Sequence, residues 1–137
     1  MCGVVGIFDL RGQRDIDAAL LHRMNETQFH RGPNEGGLHR EPGLGFGHRR
    51  LSIIDLSSGQ QPLFNEDGSV VVVFNGEIYN FQELVPELEA LGHVFHTHSD
   101  TEVIVHGWEE WGAACVQRFR GMFAFAIWDR KQQTLFL

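Results

Sequence analysis

Cysteine, basic residues and long apolar runs are all scarce in this sequence. The 137 residues include two cysteines, Cys2 and Cys115, which is too few for a disulfide framework in a domain of this size. No apolar run approaches the roughly 20 residues of a transmembrane helix, and no charged segment precedes an apolar stretch as in a secretory signal. We therefore expect a cytoplasmic protein with reduced thiols, with a Cys2–Cys115 bridge as the open alternative.

Acidic residues outnumber basic ones by 18 to 11, so the formal net charge is −7. A negative chain is a poor partner for a phosphate backbone, so we expect neither nucleic acid nor a membrane as a partner. Hydrophobic residues make up 42% of the chain and charged residues 21%, a balance typical of one folded domain with a core.

Hydrophobic periodicity predicts an α+β fold, because the elements do not alternate as they do in a doubly wound sheet. The predicted strands lie at 3–10, within 44–54, and at 69–74, 94–96, 122–128 and 134–137. The predicted helices lie at 15–28, 81–91 and 101–111, and the predicted loops at 30–37 and 56–68. The β-branched run at 69–74 predicts a strand buried on both faces. Residues 129–132 suit a hairpin connection.

Two helices carry further local signals. Ser99 and Glu102 match a capping box at the start of the last helix. Pro86 lies inside the middle helix and predicts a bend or a late start. The chain also stops inside a predicted strand, so we expect an excised fragment whose sheet edges are free to pair, with a homodimer as one assembly that this allows.

Cys2 carries the first candidate chemistry. Once Met1 is removed, the thiol and the α-amine belong to the same residue, and the amine, with a pKa of about 7.7–8.0, can act as general base for the thiol. The alternative is that a small residue stands at position 2 by chance.

Asn75 and Gly76 follow the buried strand and allow two interpretations. Asn-Gly is a strong signal for a type I′ hairpin turn. However, a helix pattern follows rather than a partner strand, and an amide beside a glycine N–H can also form an oxyanion hole.

Arg50, Glu77 and Asp100 supply one cation and two anions beside predicted strand ends. An Arg fork binds a carboxylate and two carboxylates bind an ammonium, so the set suits a free amino acid. Solvated surface charge is the alternative for each of them, and Asp100 also suits a helix start.

A metal-binding alternative rests on His93, His96 and His98. No cysteine or carboxylate joins them at standard ligand spacing, so we expect no metal site there. Cys115 is expected to be a small buried hydrophobe.

Several motifs together resemble a known family. They are MCGVVGIFD, HRGPNEGG, GHRRLSIIDLSSGQQPLF, VVVFNGEIYNF, HSDTEVIVHGWEEWG and RGMFAFAIWDR, which run in order from Met1 to Leu137. The chain resembles the glutaminase domain of class II glutamine amidotransferases, which are N-terminal-nucleophile hydrolases. RLSIID and NGEIYN resemble the corresponding segments of the asparagine synthetase branch. The sequence as a whole is most similar to the exosortase-associated members of that branch.

The resemblance implies a four-layer αββα sandwich of antiparallel sheets, truncated at its C-terminal end. It also implies hydrolysis of L-glutamine to glutamate and ammonia. Cys2 would be the nucleophile, and Asn75 with Gly76 would form the oxyanion hole.

The same resemblance implies the substrate-binding residues. Arg50 would bind the glutamine α-carboxylate, Glu77 and Asp100 would contact the α-ammonium, and the Ile53 backbone would line the pocket. No cofactor and no metal are expected for this step.

The resemblance further implies that residues 1–137 are a partial glutaminase domain. The family passes ammonia to an ATP-dependent synthetase domain for asparagine or related amide synthesis, and the Ser-Gly-Gly-x-Asp-Ser loop of that domain does not occur here. ATP and magnesium are expected only for that domain. The alternative function is a truncated, non-catalytic binding or assembly module of the same fold.

Overall fold

Seven strands and three α-helices make up the described part of the chain. The structure is a computed structural model that describes residues 2–52 and 58–137. The strands are β1 (Gly3–Phe8), β2 (Glu35–Glu41), β3 (Leu44–Arg50), β4 (Leu63–Phe64), β5 (Val70–Ile78), β6 (Gly121–Asp129) and β7 (Thr134–Phe136). The helices are α1 (Ala18–Glu26), α2 (Phe81–Ala90) and α3 (Glu102–Trp111), and a 3-10 helix follows at Gly112–Gln117.

The strands form two antiparallel sheets. The first has the order β1-β3-β2 and the second the order β4-β5-β6-β7. β6 and β7 are joined by the predicted hairpin, with Trp128 opposite Leu135. The central strands β3 and β5 carry residues of the candidate site at or near their C-terminal ends.

The two sheets face each other and helices cover their outer faces. α1 packs on the first sheet, and α3 packs on the second sheet and on α2. The strand β5 shows why this layering suits the sequence, since Val71 and Val73 pack toward the first sheet while Val72 and Phe74 pack toward the helices. The expected αββα arrangement and the strand buried on both faces are therefore confirmed.

Three predictions of local structure are wrong. Residues 94–96 are not a strand, because the N–H groups of Val94 and His96 donate to the carboxylates of Glu66 and Glu102. β2 begins inside the predicted loop at 30–37 and β4 lies inside the predicted loop at 56–68. β2 contains no β-branched residue, so its pairing with β3 imposes the strand.

The predicted capping box at α3 is also absent. Thr101 is the N-cap and makes no capping bond with its side chain. Ser99 Oγ instead accepts from the Thr101 N–H, and Glu102 accepts from the N–H groups of His96 and Thr97. Glu102 therefore holds the segment before α3 in place by hydrogen bonds, and this segment contains Asp100.

Two smaller expectations have clear outcomes. α2 begins at Phe81, so Pro86 does not delay its start. Cys2 and Cys115 are free thiols, and Cys115 is fully buried in the core, where burial raises the pKa of its thiol to about 11.

Within residues 2–52 and 58–137, we find no helix with the length and apolarity to cross a bilayer.

His48 joins the two sheets next to the candidate site. β4 pairs only with Val71 and Val72, so the backbone of Phe74 lacks a strand neighbour on that side. His48 Nε2 donates to the Phe74 carbonyl over 3.0 Å, and Gln61 Oε1 accepts from the Phe74 N–H over 2.6 Å. Phe74 is thus fixed from both sides, which sets the position of Asn75.

We expect His48 to make the protein sensitive to acid. Burial lowers the pKa of His48 from 6.5 to about 4. At a pH between these two pKa values, His48 is protonated in the unfolded chain and neutral in the folded protein. The free energy of unfolding therefore falls by about 3 kcal/mol as the pH drops from 6.5 to 4.

Urea unfolding of wild type and His48→Gln at pH 7, 5 and 4 measures this contribution. Glutamine keeps an N–H donor for Phe74 and has no such titration, so the stability of the variant relative to wild type rises as the pH falls. His22→Gln, on the exposed side of α1, is the control. Parallel pH profiles of wild type and His48→Gln would contradict the assignment.

Candidate active site

Most of the catalytic and substrate-binding residues predicted from the sequence line one small cleft. Its volume is about 140 Å³, below the roughly 300–1,000 Å³ of drug-sized sites, so it suits a ligand as small as an amino acid. The cleft is lined by Cys2, Arg50, Leu51, Gln61, Asn75, Gly76, Glu77, Ser99, Asp100, Thr101 and Met122.

Cys2 lies immediately before β1 and is half-buried at the cleft wall. Its carbonyl accepts from Arg31 Nε over 2.9 Å, and the Leu51 N–H donates to Sγ over 3.4 Å. Gly3 pairs with Arg49 in β3, so the residue next to the thiol is already part of a sheet. The backbone of Cys2 is therefore fixed by Arg31 and by the sheet, and its sulfur contacts the backbone of Leu51.

Asn75 and Gly76 continue β5 and do not form a hairpin turn. They lie opposite Ala124 and Phe123 of β6. Gly76 has a φ of 151°, and a Cβ at this position would stand 2.1 Å from the Met122 carbonyl oxygen. Only glycine fits here, and Gly76 lines the cleft.

The amide of Asn75 is incompletely satisfied within the described residues. Its Oδ1 is buried and has no hydrogen-bond partner there. Buried polar atoms without a partner are uncommon in native proteins, and this one belongs to a residue that lines the cleft.

Arg50 and Arg49 leave β3 on opposite faces, as strand geometry requires. Arg50 is 5% exposed, lines the cleft and forms an ion pair with Glu35 at 3.1 Å. Arg49 turns away, donates to the Gly32 carbonyl and pairs with Glu26 at 3.2 Å. Of the two adjacent arginines, only Arg50 belongs to the cleft.

Asp100 and Glu77 give the cleft an anionic wall. Asp100 is 5% exposed, and its Oδ2 accepts from the Ile78 N–H over 2.8 Å. Burial raises the pKa of Asp100, the Ile78 N–H opposes that shift, and the charge of Glu77 adds to it. A cationic group bound here would relieve the repulsion between the two carboxylates.

The structure thus brings together six of the seven residues named from the sequence. Ile53 lies outside the described residues. Sequence reasoning missed Gln61, which lines the cleft, supports Phe74 and donates to Thr101 Oγ1 over 3.4 Å. No local pattern distinguishes a buried glutamine in a loop, so only the tertiary structure could find it.

The histidine triplet does not form the cluster considered from the sequence. Within the described part of the chain, His93 lies with His106, Glu66 and Glu109, and His96 and His98 are not in that group. The strand that would have aligned His96 with His98 is absent.

Comparison with known proteins agrees with the geometry. A family model described as a glutamine amidotransferase domain matches residues 1–137. The chain belongs to this family of glutamine amidotransferase domains. Because the match covers all 137 residues, the amidotransferase domain includes both sheets and the whole cleft.

Curated relatives of this amidotransferase domain are glutamine-hydrolyzing asparagine synthetases. Enzymes 1 and 2 of Bacillus subtilis (strain 168) are 44% and 47% identical over 99% and 100% of the chain. Enzyme 2 of Oryza sativa subsp. japonica is 43% identical over 98%. The chain spans only 22%, 18% and 22% of these three relatives, about a fifth of their length.

Solved structures support the fold of the amidotransferase domain. Glutamine phosphoribosylpyrophosphate amidotransferase from B. subtilis matches with a TM-score of 0.66 and 23% identity over 94% of this chain and 35% of that one. The allosteric regulatory enzyme of purine biosynthesis matches with a TM-score of 0.53 and 26% identity over 66% of this chain and 22% of that one. The expected N-terminal-nucleophile architecture is therefore confirmed.

Proposed function

We propose that this domain hydrolyses the side-chain amide of glutamine to glutamate and ammonia. The observation that carries the proposal is the cleft, where a thiol, an Asn-Gly pair, an arginine and two carboxylates meet. Membership of the amidotransferase family supports it, and the alternative of a non-catalytic module is not favoured.

The first step uses both functional groups of Cys2. After removal of Met1, the α-amine takes the thiol proton, directly or through one water, and Sγ attacks the amide carbon of glutamine. The negative charge that develops on the amide oxygen is stabilised by the Asn75 side-chain N–H and the Gly76 backbone N–H. The amine then returns the proton to the leaving nitrogen, ammonia departs, and a γ-glutamyl thioester remains on Cys2.

Water completes the reaction. It gives a proton to the Cys2 amine, attacks the thioester carbon, and passes through a second oxyanion at the same Asn75 and Gly76 donors. The C–S bond breaks, glutamate leaves and the thiol is restored. These steps need no redox change and no external reactant except water, which is consistent with the prediction that the domain uses no cofactor for them.

The charged residues select a free amino acid. Arg50 binds the α-carboxylate, while Glu77 and Asp100 bind the α-ammonium, and this places the side-chain amide next to Cys2. Glu35 holds the Arg50 guanidinium at 3.1 Å, so the arginine is positioned before the substrate arrives. We also propose that the Ile53 backbone lines this pocket.

Trapping the thioester tests the proposal. Processed protein is incubated with glutamine, quenched in acid and analysed by intact mass, with glutamate release assayed in parallel. We expect a γ-glutamyl adduct that maps to Cys2, and glutamate released together with ammonia. Protein that lacks Met1 but forms no adduct and releases no glutamate would refute the proposal.

Asp100→Asn is expected to weaken glutamine binding more than folding. Asparagine keeps an oxygen for the Ile78 N–H but loses the charge that attracts the ammonium. A hydrogen bond to a charged group is worth about 1.5–3 kcal/mol, so KM should rise by about 10- to 100-fold.

Steady-state kinetics and thermal unfolding of Asp100→Asn check this expectation. Asp15→Asn, in an exposed position before α1, serves as the control for a lost surface carboxylate. A large fall in Tm with an unchanged KM would show that Asp100 acts only in organising the start of α3.

We further propose that the longer protein uses the ammonia for ATP-dependent synthesis of asparagine or a related amide. The support is that the relatives with this domain are named asparagine synthetases and are about five times longer than the chain. In this proposal, residues 1–137 are the glutaminase domain, and ATP and magnesium serve only the synthetase domain. In the full-length protein, Cys2→Ala should abolish glutamine-dependent synthesis and preserve synthesis from added ammonia.

We propose the cytoplasm as the compartment of this protein. The mechanism requires Cys2 as a reduced thiol, and thiols stay reduced there. Both cysteines are free in the structure, which is consistent with a reducing environment.

A further inference from the structure

Two histidines and two glutamates form a cluster that shares no residue with the cleft. Glu66 lies in the β4–β5 turn, His93 in the connection between α2 and α3, and His106 and Glu109 in α3. One donor atom from each of the four side chains lies within 4.8 Å of the other three.

The distances within the cluster suit a tetrahedral ion. His93 Nδ1 lies 3.7 Å from Glu66 Oε1 and 3.6 Å from Glu109 Oε2. His106 Nδ1 lies 3.6 Å from Glu66 Oε2 and 3.4 Å from Glu109 Oε2. Ligands about 2.1 Å from a tetrahedral zinc ion are about 3.4 Å apart. The four contacts are close to that spacing, and because the donor atoms as a set lie within 4.8 Å of one another, the side chains would move closer together on binding.

A further carboxylate orients the imidazole ring of His93, and another lies near that of His106. His93 Nε2 is hydrogen-bonded to Glu110 Oε1 at 2.8 Å, and His106 Nε2 lies 3.5 Å from Glu102 Oε1. For His93, the Glu110 carboxylate keeps the proton on Nε2 and leaves the Nδ1 lone pair free for a metal. His106 Nδ1 instead donates to Glu109 Oε2 over 3.4 Å, so a metal ion would replace the proton of that hydrogen bond. Histidine ligands in metalloproteins have outer partners of this kind.

The two ligand glutamates are oriented as well. Glu66 Oε1 accepts from the Val94 N–H over 3.0 Å, and Glu109 Oε1 accepts from Asn65 Nδ2 over 2.7 Å. His106 has a side chain only 1% exposed. The cluster is therefore anchored to the backbone and to the core and is not a set of freely moving surface charges.

Charge also favours a cation at this position. The carboxylates of Glu66, Glu102, Glu109 and Glu110 place four negative charges around the two imidazoles, more than both imidazoles could balance even when protonated. A divalent ion would offset half of that charge. Two imidazoles with two carboxylates form a donor set that zinc accepts, whereas calcium and magnesium prefer oxygen alone.

We propose that Glu66, His93, His106 and Glu109 bind a divalent transition-metal ion of the zinc type. All four coordination positions come from the protein, which is the arrangement of a structural rather than a catalytic zinc site. The ion would join the β4–β5 turn, the α2–α3 connection and α3, and so would fix the segment that leads to Asp100.

Metal titration tests this proposal independently of catalysis. Protein treated with EDTA and dialysed is titrated with Co²⁺, followed by optical absorption, and then with Zn²⁺. We expect one equivalent of Co²⁺ with the visible bands of tetrahedral cobalt, their loss on addition of Zn²⁺, and a higher Tm in the presence of Zn²⁺.

Matched variants assign the ligands. His93→Gln and Glu66→Gln should weaken Zn²⁺ binding more than about 100-fold, and Glu110→Gln about 10-fold, as expected for an outer partner. His96→Gln removes an exposed histidine of the same connection and should bind like wild type. Glu66 lies in an exposed turn, so Glu66→Gln keeps the test valid if a histidine variant does not fold.

Cys2→Ala separates this site from the proposed active site. It should bind one equivalent of Zn²⁺ with wild-type affinity although it hydrolyses no glutamine. Wild-type protein without stoichiometric metal binding, equal affinity in wild type and Glu66→Gln, or loss of binding in Cys2→Ala would each overturn the metal proposal.

Discussion

Replacement of Cys2 by alanine is expected to reduce glutamate release by at least about 10⁴-fold, to the level of a control without enzyme. The variant keeps the α-amine and the oxyanion donors but has no atom to form the thioester. Cys2 is only half-buried, and its carbonyl, which binds Arg31, is retained in the variant. The variant loses a long contact of Sγ with the Leu51 N–H at 3.4 Å, so the fold should stay intact. Activity by coupled glutamate assay and stability by thermal unfolding measure the two effects.

Cys115→Ala is the matched control for this variant. Its thiol is fully buried in the core on the helix side of β5, and burial raises its pKa to about 11, so it is inert at neutral pH. The control should lose some stability and keep its turnover. Equal glutamate release by wild type and Cys2→Ala would show that Cys2 is not the nucleophile. Intact mass must first confirm that Met1 is absent from each protein.

Asn75→Ala is expected to lower kcat by about 10²–10³-fold, the usual effect of deleting one oxyanion donor. The effect should fall on kcat more than on KM, because the charge on the amide oxygen develops only in the transition state. Single-turnover measurements of γ-glutamyl thioester formation on Cys2 provide the direct test.

Stability provides the control for Asn75→Ala. Asn75 Oδ1 makes no hydrogen bond within the described residues, so its removal breaks no internal bond to that atom and the Tm should change little. Asn80→Ala is the contrasting variant, because Asn80 donates to the Arg118 carbonyl and accepts from the Arg120 N–H. It should lower the Tm and preserve kcat. An unchanged kcat in Asn75→Ala would exclude Asn75 from the oxyanion hole.

Much of the fold could be predicted because local pattern and tertiary burial agree. The run Val70–Phe74 predicts a strand buried on both faces, and the structure buries its residues alternately against the first sheet and the helices. The hairpin between β6 and β7 also follows from short-range chemistry. In these places the side chains themselves determine the conformation.

The wrong predictions share one physical cause, which is a backbone hydrogen-bond partner that the hydrophobic pattern does not reveal. Val94 and His96 have strand-like neighbours, but their N–H groups bind the carboxylates of Glu66 and Glu102. β2 lacks strand-forming residues, yet β3 pairs with it along its whole length. The carboxylate partners range from six residues away, for His96 and Glu102, to 28 residues away, for Val94 and Glu66, and hydrophobic periodicity encodes none of these pairings.

The functional residues also divide into those that a local signal predicts and those that only the tertiary structure reveals. Cys2, Asn75 and Gly76 could be named because each carries a local chemical signal, and Arg50, Glu77 and Asp100 because their charges suit an amino acid. Gln61 and the pair His93–His106 could not, because their surroundings consist of residues from separate elements.

The proposed nucleophile and its oxyanion donors belong to different layers of the sandwich. Cys2 precedes β1 in one sheet, whereas Asn75 and Gly76 belong to β5 in the other. The distance between Cys2 and the Asn75–Gly76 pair thus depends on the apolar side chains between the sheets, among them Phe46 and Val73. A smaller side chain at one of these positions would therefore change the distance between Cys2 and its oxyanion donors and slow turnover, although it would remove no polar group from the cleft.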